Sequence, residues 1–319
     1  MAGMLCGGVV CSCSKTNPDS GAPGNPSGSL VGDDETANAE LAGVRLAAVG
    51  EWRYAYDEKG ALAEIRVDDV VLKAKDNFKL VEDFQDDDEI GHGEFKPTIQ
   101  SNHVTSFSTT SEWRDGNSSG KMTMSADFKY NEKGQLASWS GSNTETETYI
   151  GGQYAFSESI NATLKYDAKD RLTSVDLRVT SVEDGEKEDW QALFTFDYSH
   201  GWPNKFYQYT PIVFDVVSAS VAGVLEGFAY VGLFGKASSE IPSSILLKKI
   251  EDGETSEEKV DGLSCELNGN GTIRRADWNE YAYTDVKTRA ESAVPAFGKA
   301  DVKRLLCGDK FGRRHGGRR

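Results

Sequence analysis

Residues that could carry chemistry are few in this chain and lie far apart. The four histidines are His92, His103, His200 and His315, and none stands at metal-ligand spacing from another. The sequence contains no His-Glu-x-x-His, Gly-x-Ser-x-Gly or Gly-x-x-x-x-Gly-Lys-Ser/Thr motif. We therefore expect no enzymatic activity, no metal site and no cofactor.

One cysteine stands where covalent chemistry is expected. Three of the five cysteines fall in the first 13 residues, and Val10-Cys11-Ser12-Cys13 resembles a bacterial lipobox, which ends in the cysteine to be lipidated. The apolar stretch before it has no basic start, so we expect residues 1–13 to be a truncated lipoprotein signal; the alternative is an ordinary flexible N-terminus. Residues 14–43 are rich in Asn, Pro, Gly and Ser and are typical of a flexible tether.

Charge is distributed unevenly along the chain. Residues 287–319 carry ten Lys and Arg against three Asp and Glu, whereas residues 1–286 carry 25 against 48, a net charge of −23. A body this acidic repels phosphate backbones, which argues against nucleic acid as a partner. For the basic tail we expect a disordered extension, with contact to an anionic surface as the alternative.

An internal repeat is the most informative feature of the sequence. The pattern aromatic-x-Tyr-Asp/Asn-x-Lys-Gly-x-Leu occurs at Tyr54–Ile65 and Phe128–Trp139, and with Leu in place of the aromatic residue and Asp in place of Gly at Leu164–Val175. Cys265–Ile273 is a degenerate copy, and Phe194–Tyr198 begins a fifth copy with an altered turn.

Each copy has the residue types of a β-hairpin. An aromatic-x-aromatic pair places both rings on one face of a strand. Asp or Asn caps the turn with its own side chain, and the glycine three residues later can take the positive φ that closes the hairpin. Asp tolerates that conformation better than most residues. The predicted turn residues are Asp57, Gly60, Asn131, Gly134, Asp167, Asp170 and Gly271.

The hairpin motif resembles the Tyr-Asp repeat of Rhs-like proteins. It resembles more closely a family of Bacteroidetes lipoproteins with a β domain of unknown function. Gly232-Leu233-Phe234-Gly235-Lys236 is similar to a segment of that family, and the resemblance covers roughly residues 44–286. It implies an exported, β-rich domain with one helical insertion, and it implies no known activity.

These features predict a mainly β fold, a long antiparallel meander of hairpins that forms a curved sheet or half-barrel. A further hairpin is expected at His103–Glu112 and Lys121–Phe128. The apolar run at 212–235 contains Asp215 and Glu226 and is predicted to be a buried helix and not a membrane span.

Two functions remain open from the sequence. The first is a binding or structural module without catalysis, held at the outer membrane or cell surface through Cys13, which recognises a glycan or protein. The alternative is a carrier of a lipid or other apolar ligand in a cavity of the curved sheet. The six tryptophans are expected in the core, with stacking platforms for sugars as the alternative.

Overall fold

A computed structural model describes residues 44–67, 70–85, 89–205, 219–251, 253–261, 263–276 and 279–285. The expected signal, tether and basic tail, with Cys13, lie outside these residues. The described residues form two large antiparallel sheets, a two-stranded sheet and one α-helix, which confirms the predicted meander of hairpins with an inserted helix.

The larger sheet has ten strands in the described residues, in the order β16-β15-β12-β11-β10-β9-β8-β7-β6-β5. Its strands are β5 (Leu80–Gln85), β6 (Glu89–Gln100), β7 (His103–Asp115), β8 (Ser118–Tyr130), β9 (Leu136–Tyr149), β10 (Gly152–Tyr166), β11 (Leu172–Glu183), β12 (Glu186–Asp197), β15 (Ser244–Glu251) and β16 (Glu254–Asp261). The run from β5 to β12 is an uninterrupted meander. The outer strands of the sheet, β16 and β5, do not pair with each other in the part of the chain that the structure describes.

The smaller sheet has seven described strands, in the order β17-β18-β19-β1-β2-β3-β4. They are β1 (Val44–Val49), β2 (Trp52–Tyr56), β3 (Leu62–Val67), β4 (Val70–Lys73), β17 (Cys265–Leu267), β18 (Ile273–Ala276) and β19 (Asn279–Asp285). The remaining elements are a 3-10 turn (Ala74–Asp76), β13 (Trp202–Pro203), α1 (Ala219–Tyr230) and β14 (Glu240–Ile241).

The repeated turns share one backbone geometry, which Asp57 illustrates. Its amide donates to the carbonyl of Ala61 (2.8 Å), and its Oδ1 accepts from the amides of Lys59 and Ala61 (2.9 and 2.8 Å). Asn131 and Asp167 make the same three bonds in their own turns. The residue three positions later has a positive φ in each turn, and four such residues are Gly60 (84°), Gly134 (73°), Asp170 (62°) and Gly271 (87°).

A β-bulge accompanies the three full copies and the degenerate copy at Cys265–Ile273, and it sets their register. The residue before the turn pairs with the residue six positions later, and the register shifts just before that pair. The extra residue turns the strand so that the tyrosine ring leans over the preceding hairpin. The pairs are Tyr56 with Leu62, Tyr130 with Leu136, Tyr166 with Leu172, and Leu267 with Ile273.

The tyrosine hydroxyls join each hairpin to the previous one. Tyr198 donates to the carbonyl of Leu172 (2.6 Å), and Tyr166 donates to the carbonyl of Leu136 (3.1 Å). Tyr130 donates in the same way to Val104 (2.6 Å), the second residue of β7. In each case the acceptor lies at the start of a return strand, so the tyrosines form a ladder along one edge of the ten-stranded sheet.

The two chain ends of the domain together build one more copy of the repeat. Tyr283 of β19 pairs with Leu46 of β1, and the Tyr283 hydroxyl donates to the carbonyl of Ile273 (2.7 Å). Tyr56 then donates to the carbonyl of Leu46 (2.9 Å), which continues the ladder through the smaller sheet. Because Val44 pairs with Asp285, the chain enters and leaves this sheet at the same place.

Helix α1 packs between the sheets. Phe228 is fully buried and its ring lies 5.7 Å from Phe78 and 6.1 Å from Phe95. At Gly227 a Cβ would lie 2.5 Å from the ring of Trp52, so glycine is needed for this close approach. The helix was expected to continue to residue 235, but it ends at Tyr230 because Gly232 takes a φ of 75° and its amide turns back to Ala229.

Candidate functional site

A short segment after the helix, Gly232–Ser239, crosses the turns of the larger sheet, and we call it the strap. The carbonyl of Leu233 accepts from the amide of Val104 (2.7 Å). The amide of Lys236 donates to Gly134 (2.9 Å), and the amide of Ser239 donates to Asp170 (3.0 Å). The strap therefore bonds in turn to the β6–β7, β8–β9 and β10–β11 hairpins.

The bonds between the strap and the turns are evenly spaced along the strap. The bonded strap residues, Leu233, Lys236 and Ser239, are three positions apart. The first triplet contains a turn, in which the amide of Gly235 donates to the carbonyl of Gly232 (3.0 Å). One strap triplet thus separates the bonds to neighbouring hairpins, and a single segment contacts three hairpins, two of which are copies of the repeat.

Ionic contacts reinforce the strap. Asp170 accepts from Lys133 (2.5 Å) in the neighbouring turn and from Lys236 (3.3 Å) in the strap. Burial acts to raise the pKa of Asp170, but the hydrogen bonds from these two lysines lower it overall. Ser238 accepts from the amide of Leu172 (3.2 Å) and lies 3.1 Å from the Tyr198 hydroxyl. The groups at this edge find their partners within the protein, so we assign the strap edge a role in stabilising the sheet.

The two faces of the ten-stranded sheet differ in character. On the face that we call the inner face, Phe128 packs on Phe234 of the strap (4.9 Å between centroids) and Phe95 packs on Phe228 of the helix. The outer face carries exposed Ser, Thr and charged side chains, such as Thr123 and Thr144, which share a hydrogen bond of 2.6 Å. Core formation therefore explains the inner face near the turns.

Farther from the turns, the inner face becomes polar. Thr109, Met124, Asn143 and Glu158 are paired directly across β7, β8, β9 and β10, and they form one row. Directly paired residues point to the same face and have Cβ atoms about 4.5–5.5 Å apart. We call this row, together with Trp113, the distal site.

Several polar atoms of the distal site have no partner. Within the described residues, Thr109 Oγ1, Asn143 Oδ1 and Trp113 Nε1 are buried and make no hydrogen bond. Thr109 is 1% exposed and Asn143 is 8% exposed. Leaving such a group unpaired costs about 1–3 kcal/mol, so native proteins usually pair buried polar groups with other protein atoms or with ordered water.

Glu158 is the titratable group of this row. It lies between Asn143 on β9 and Ser181 on β11. Burial raises the pKa of Glu158 to about 7, so that its carboxyl group is partly protonated at neutral pH. The group can therefore both donate and accept a hydrogen bond near neutral pH.

The aromatic and apolar parts of the site have fixed positions. The ring of Trp113 lies over Gly120, where a Cβ would come within 2.1 Å of it. Beside Asn143 is a recess lined by Met124, Trp139 and Ile160, with an empty volume of about 190 Å³ that includes the open space above it. Most of that volume is open space, and the enclosed part has room for about one water molecule.

The predicted site residues and the distal site lie in different places. Asn131, Gly134, Asp167 and Asp170 lie together at the strap edge, Asp57, Gly60 and Gly271 lie in turns of the smaller sheet, and Cys13 lies outside the described residues. Of the tryptophans, Trp52 and Trp139 are buried in the core, and Trp113 belongs to the distal site.

Sequence reasoning missed the distal site, although a signal was present. From Ser140 to Thr148, strand β9 is polar at nearly every position, so neither face shows the usual apolar alternation. Its residues on the inner face there are Gly141, Asn143, Glu145 and Glu147. A long strand with two polar faces in an otherwise alternating sheet indicates a surface with a role other than packing.

Comparisons with known proteins gave likenesses of fold alone. The chain matches no protein-family model and no curated protein. It is similar to a porin-like protein from Bacteroides vulgatus, with 11% identity, 75% of this chain and 98% of that chain covered, and a TM-score of 0.44. A porin-like protein from Bacteroides uniformis shows 11% identity over 65% of this chain and 95% of its own, with a TM-score of 0.23. No helix in the described part of the chain is long and apolar enough to cross a membrane.

Proposed function

We propose that this protein is an exported binding module without catalysis, anchored through a lipid on Cys13, that takes its ligand on the distal site. The observation that carries the proposal is the polar stretch on the inner face of β9, with Asn143, Glu145 and Glu147, in a sheet whose inner face is apolar near the turns.

A rigid scaffold supports this role. The tyrosine ladder and the strap hold the sheet at its turns, and β8, β9 and β10 extend from there as strands of 13, 14 and 15 residues. Side chains on strands are held more precisely than side chains on loops. The strap edge thus stabilises the sheet, and the polar part of the inner face is left for binding.

The anchor is supported by the lipobox-like residues and by the geometry of the domain's start. The tether of residues 14–43 would join Cys13 to β1. A flexible chain of that length spans roughly 30 Å on average, which is enough to hold the domain just clear of a membrane surface. In this arrangement the location is the outer membrane or the cell surface.

The placement of the titratable groups supports binding over catalysis. His92 contacts Asp83 (2.6 Å) at the β5–β6 edge, and the ring of His103 packs on Tyr130 (4.7 Å between centroids) at the turns. Neither histidine lies in the row of Glu158. A general acid and a general base must both reach the reacting atoms of one substrate, and the fold does not bring His92, His103 and Glu158 together.

The recess favours recognition at a surface over the carrier alternative. A lipid carrier must enclose an acyl chain, and the recess beside Asn143 is too small to hold a chain or a ring. A ligand at this place would therefore lie along the sheet.

The anchor can be tested by metabolic labelling with radioactive palmitate in the source organism, with Cys13→Ala compared to Cys11→Ala. We expect Cys13→Ala to abolish the label and release the protein from the membrane fraction, and Cys11→Ala to keep both. Loss of label with neither variant, or with Cys11→Ala alone, would contradict lipidation at Cys13.

A further inference from the structure

We propose that the strap edge faces an anionic lipid surface, and that the basic residues of 287–319 bind the phosphate groups of that surface beside the lipid anchor. The strap edge is the end of the larger sheet at which its repeat turns and the strap lie. The inference rests on the anchor in the proposed function and adds a second attachment to it. It is carried by the place where the chain enters and leaves the domain, and by the charges at the two ends of the sheets.

The chain enters and leaves the domain at one place. Val44 of β1 pairs with Asp285 of β19. Both lie at the end of the smaller sheet that holds the Asp57 turn, because Tyr56, just before that turn, donates to Leu46 near the start of β1. The tether that precedes β1 and the basic segment that follows β19 therefore start side by side.

This place lies at the strap edge. The tyrosine ladder places the β17–β18 turn at the same end of the smaller sheet. That turn touches Lys205, which follows β13: a Cβ at Gly271 would lie 3.3 Å from Lys205 Cδ. The amide of the neighbouring Asn204 donates to the carbonyl of Ser239 in the strap (2.9 Å). The repeat turns of both sheets, the strap and the two chain ends of the domain thus lie at one end of the protein.

The segment that leaves there is strongly basic. Residues 287–319 contain ten Lys and Arg against three Asp and Glu, and residues 310–319 contain five basic and no acidic residues. Each Lys or Arg close to an anionic bilayer raises the affinity for it about fivefold. A polybasic segment therefore adds to the attachment that acyl chains provide.

The basic residues are within reach of the membrane. With Cys13 in the bilayer, the tether holds β1 roughly 30 Å from the lipid on average. The basic segment starts beside β1, because Val44 and Asp285 are paired. A chain of its length can extend over about 100 Å, which is more than this distance.

The acidic body does not repel the surface at this edge, because the charges there are balanced. The repeat turns at 57–61, 131–135 and 167–171 and the strap together contain five acidic and five basic residues. Of the basic ones, Lys59 and Lys169 are exposed to solvent. The strap edge is therefore the part of an acidic domain that can approach an anionic surface.

The excess negative charge includes the opposite end of the sheet. Glu183, Asp184 and Glu186 surround the β11–β12 turn, and the described residues of the β7–β8, β9–β10, β11–β12 and β15–β16 turns include no Lys or Arg. Strand β9 has 14 residues and is about 45 Å long, whereas charges in physiological salt are screened beyond about 8 Å. These acidic turns are therefore too far away to oppose the contact, and the same orientation directs the distal site away from the membrane.

The test is vesicle flotation of the full chain with Cys13→Ala, so that the protein's own contact with lipid is measured without an acyl anchor. The vesicles contain phosphatidylcholine alone, or phosphatidylcholine with a third of it replaced by phosphatidylglycerol, in physiological and in high salt. The tail variant combines Arg313→Gln, Arg314→Gln, Arg318→Gln and Arg319→Gln. Its control makes the same change of charge at exposed strand positions away from the strap edge, with Arg114→Gln, Lys121→Gln, Arg178→Gln and Lys187→Gln.

The strap edge is tested by a second pair of variants. Lys59→Gln with Lys169→Gln removes two exposed lysines from the repeat turns, and Lys121→Gln with Lys187→Gln is the matched control. We expect binding to anionic vesicles alone, with release in high salt. The affinity should fall at least about tenfold in the tail variant and about threefold in the strap-edge variant, and both controls should stay within about twofold of the Cys13→Ala chain.

Equal binding to neutral vesicles, no binding to anionic vesicles, or equal losses in the tail variant and its control would overturn this inference. A loss in the tail variant with no loss in the strap-edge variant would keep the tail contact and overturn the orientation of the strap edge. None of these outcomes bears on the acyl anchor, since the assayed chain lacks Cys13, and palmitate labelling tests that claim separately.

Discussion

The hydroxyl of Tyr166 donates to the main-chain carbonyl of Leu136, which precedes it by 30 residues, at 3.1 Å. Leu136 is itself the bulge partner of Tyr130, whose hydroxyl reaches Val104. A single residue type thus makes two connections in each repeat, because the tyrosine ring fills the space beside the turn and its hydroxyl fixes the preceding hairpin. The tyrosine of each repeat therefore links its own hairpin to the preceding one.

This link predicts the effect of Tyr166→Phe. The change keeps the ring and leaves the carbonyl of Leu136 without its side-chain donor, so we expect a loss of about 1–2 kcal/mol in the free energy of unfolding. Chemical denaturation measures it. Tyr149→Phe is the control, because Tyr149 is 45% exposed at the other end of the strands, and we expect its effect to stay below about 0.5 kcal/mol. Equal effects of both changes would contradict the ladder.

The strap makes a second prediction, at Gly235. This residue has a φ of 81°, and a Cβ there would lie 2.1 Å from the carbonyl oxygen of Gly134. Gly235→Ala should therefore lower the free energy of unfolding by about 2–4 kcal/mol. Gly253→Ala is a matched control, since Gly253 has a φ of 78° but open space around it. The control should cost only about 1 kcal/mol, from backbone strain.

If the two alanine variants unfold at the same denaturant concentration, the close approach of the strap to the turn is not maintained in solution. A larger loss at Gly235 isolates the steric term, because the strain of a positive φ is common to both sites.

Asp170 makes a third prediction, which concerns pH. The pKa of Asp170 is lowered from its ordinary value of 3.8, so its contribution to stability is present above that pH and is lost as the pH falls through the lowered value. Asp170→Asn keeps a residue that tolerates positive φ but removes the pairs with Lys133 and Lys236. We expect it to cost about 0.5–1.5 kcal/mol at neutral pH and almost nothing near pH 2. A loss that is independent of pH would indicate a steric cause.

Local sequence rules predicted the hairpins because the turn chemistry is local. Asp or Asn, the glycine three residues later and the leucine after it stand close together in the chain, and each has one strong conformational preference. The same rules cannot predict the strap, since Leu233 and Val104 are 129 positions apart and meet only through main-chain groups. Backbone hydrogen bonds at such separation leave no mark on residue type.

The altered fifth hairpin shows the same limit. Asp197 occupies the turn position and its Oδ1 accepts from the amide of Ser199 (3.0 Å), but its return strand is β15, where Asp197 pairs with Ser244. The helix and the strap are inserted within this one turn. The spacing of the repeats predicted the altered turn. It could not predict that β12 pairs with β15, because a long stretch of chain separates the two strands.

Glu158 makes a fourth prediction. Its folded pKa of about 7 lies above the ordinary value of 4.5, so the folded state binds the proton more tightly than the unfolded state. Stability should therefore fall as the pH rises from about 4.5 to about 7 and then stay lower. Glu158→Gln removes this cost, and we expect it to raise the free energy of unfolding by about 1–3 kcal/mol at pH 8 and to change little at pH 4.

Denaturation at pH 4 and pH 8 provides the measurement for this variant. Glu183→Gln is its control, because Glu183 is exposed at the end of β11 and should change stability little at either pH. A variant at Glu158 that is destabilised equally at both pH values would show that the carboxyl group is charged and paired in the folded protein.

The measurement that tests the central claim most directly is native mass spectrometry of the protein purified from membranes of its source organism. We predict an added mass from a bound polar ligand, which persists after extraction with organic solvent and is absent from the Asn143→Leu variant. An added mass that organic solvent removes would instead identify a lipid and support the carrier alternative, which would contradict recognition of a polar ligand at the distal site.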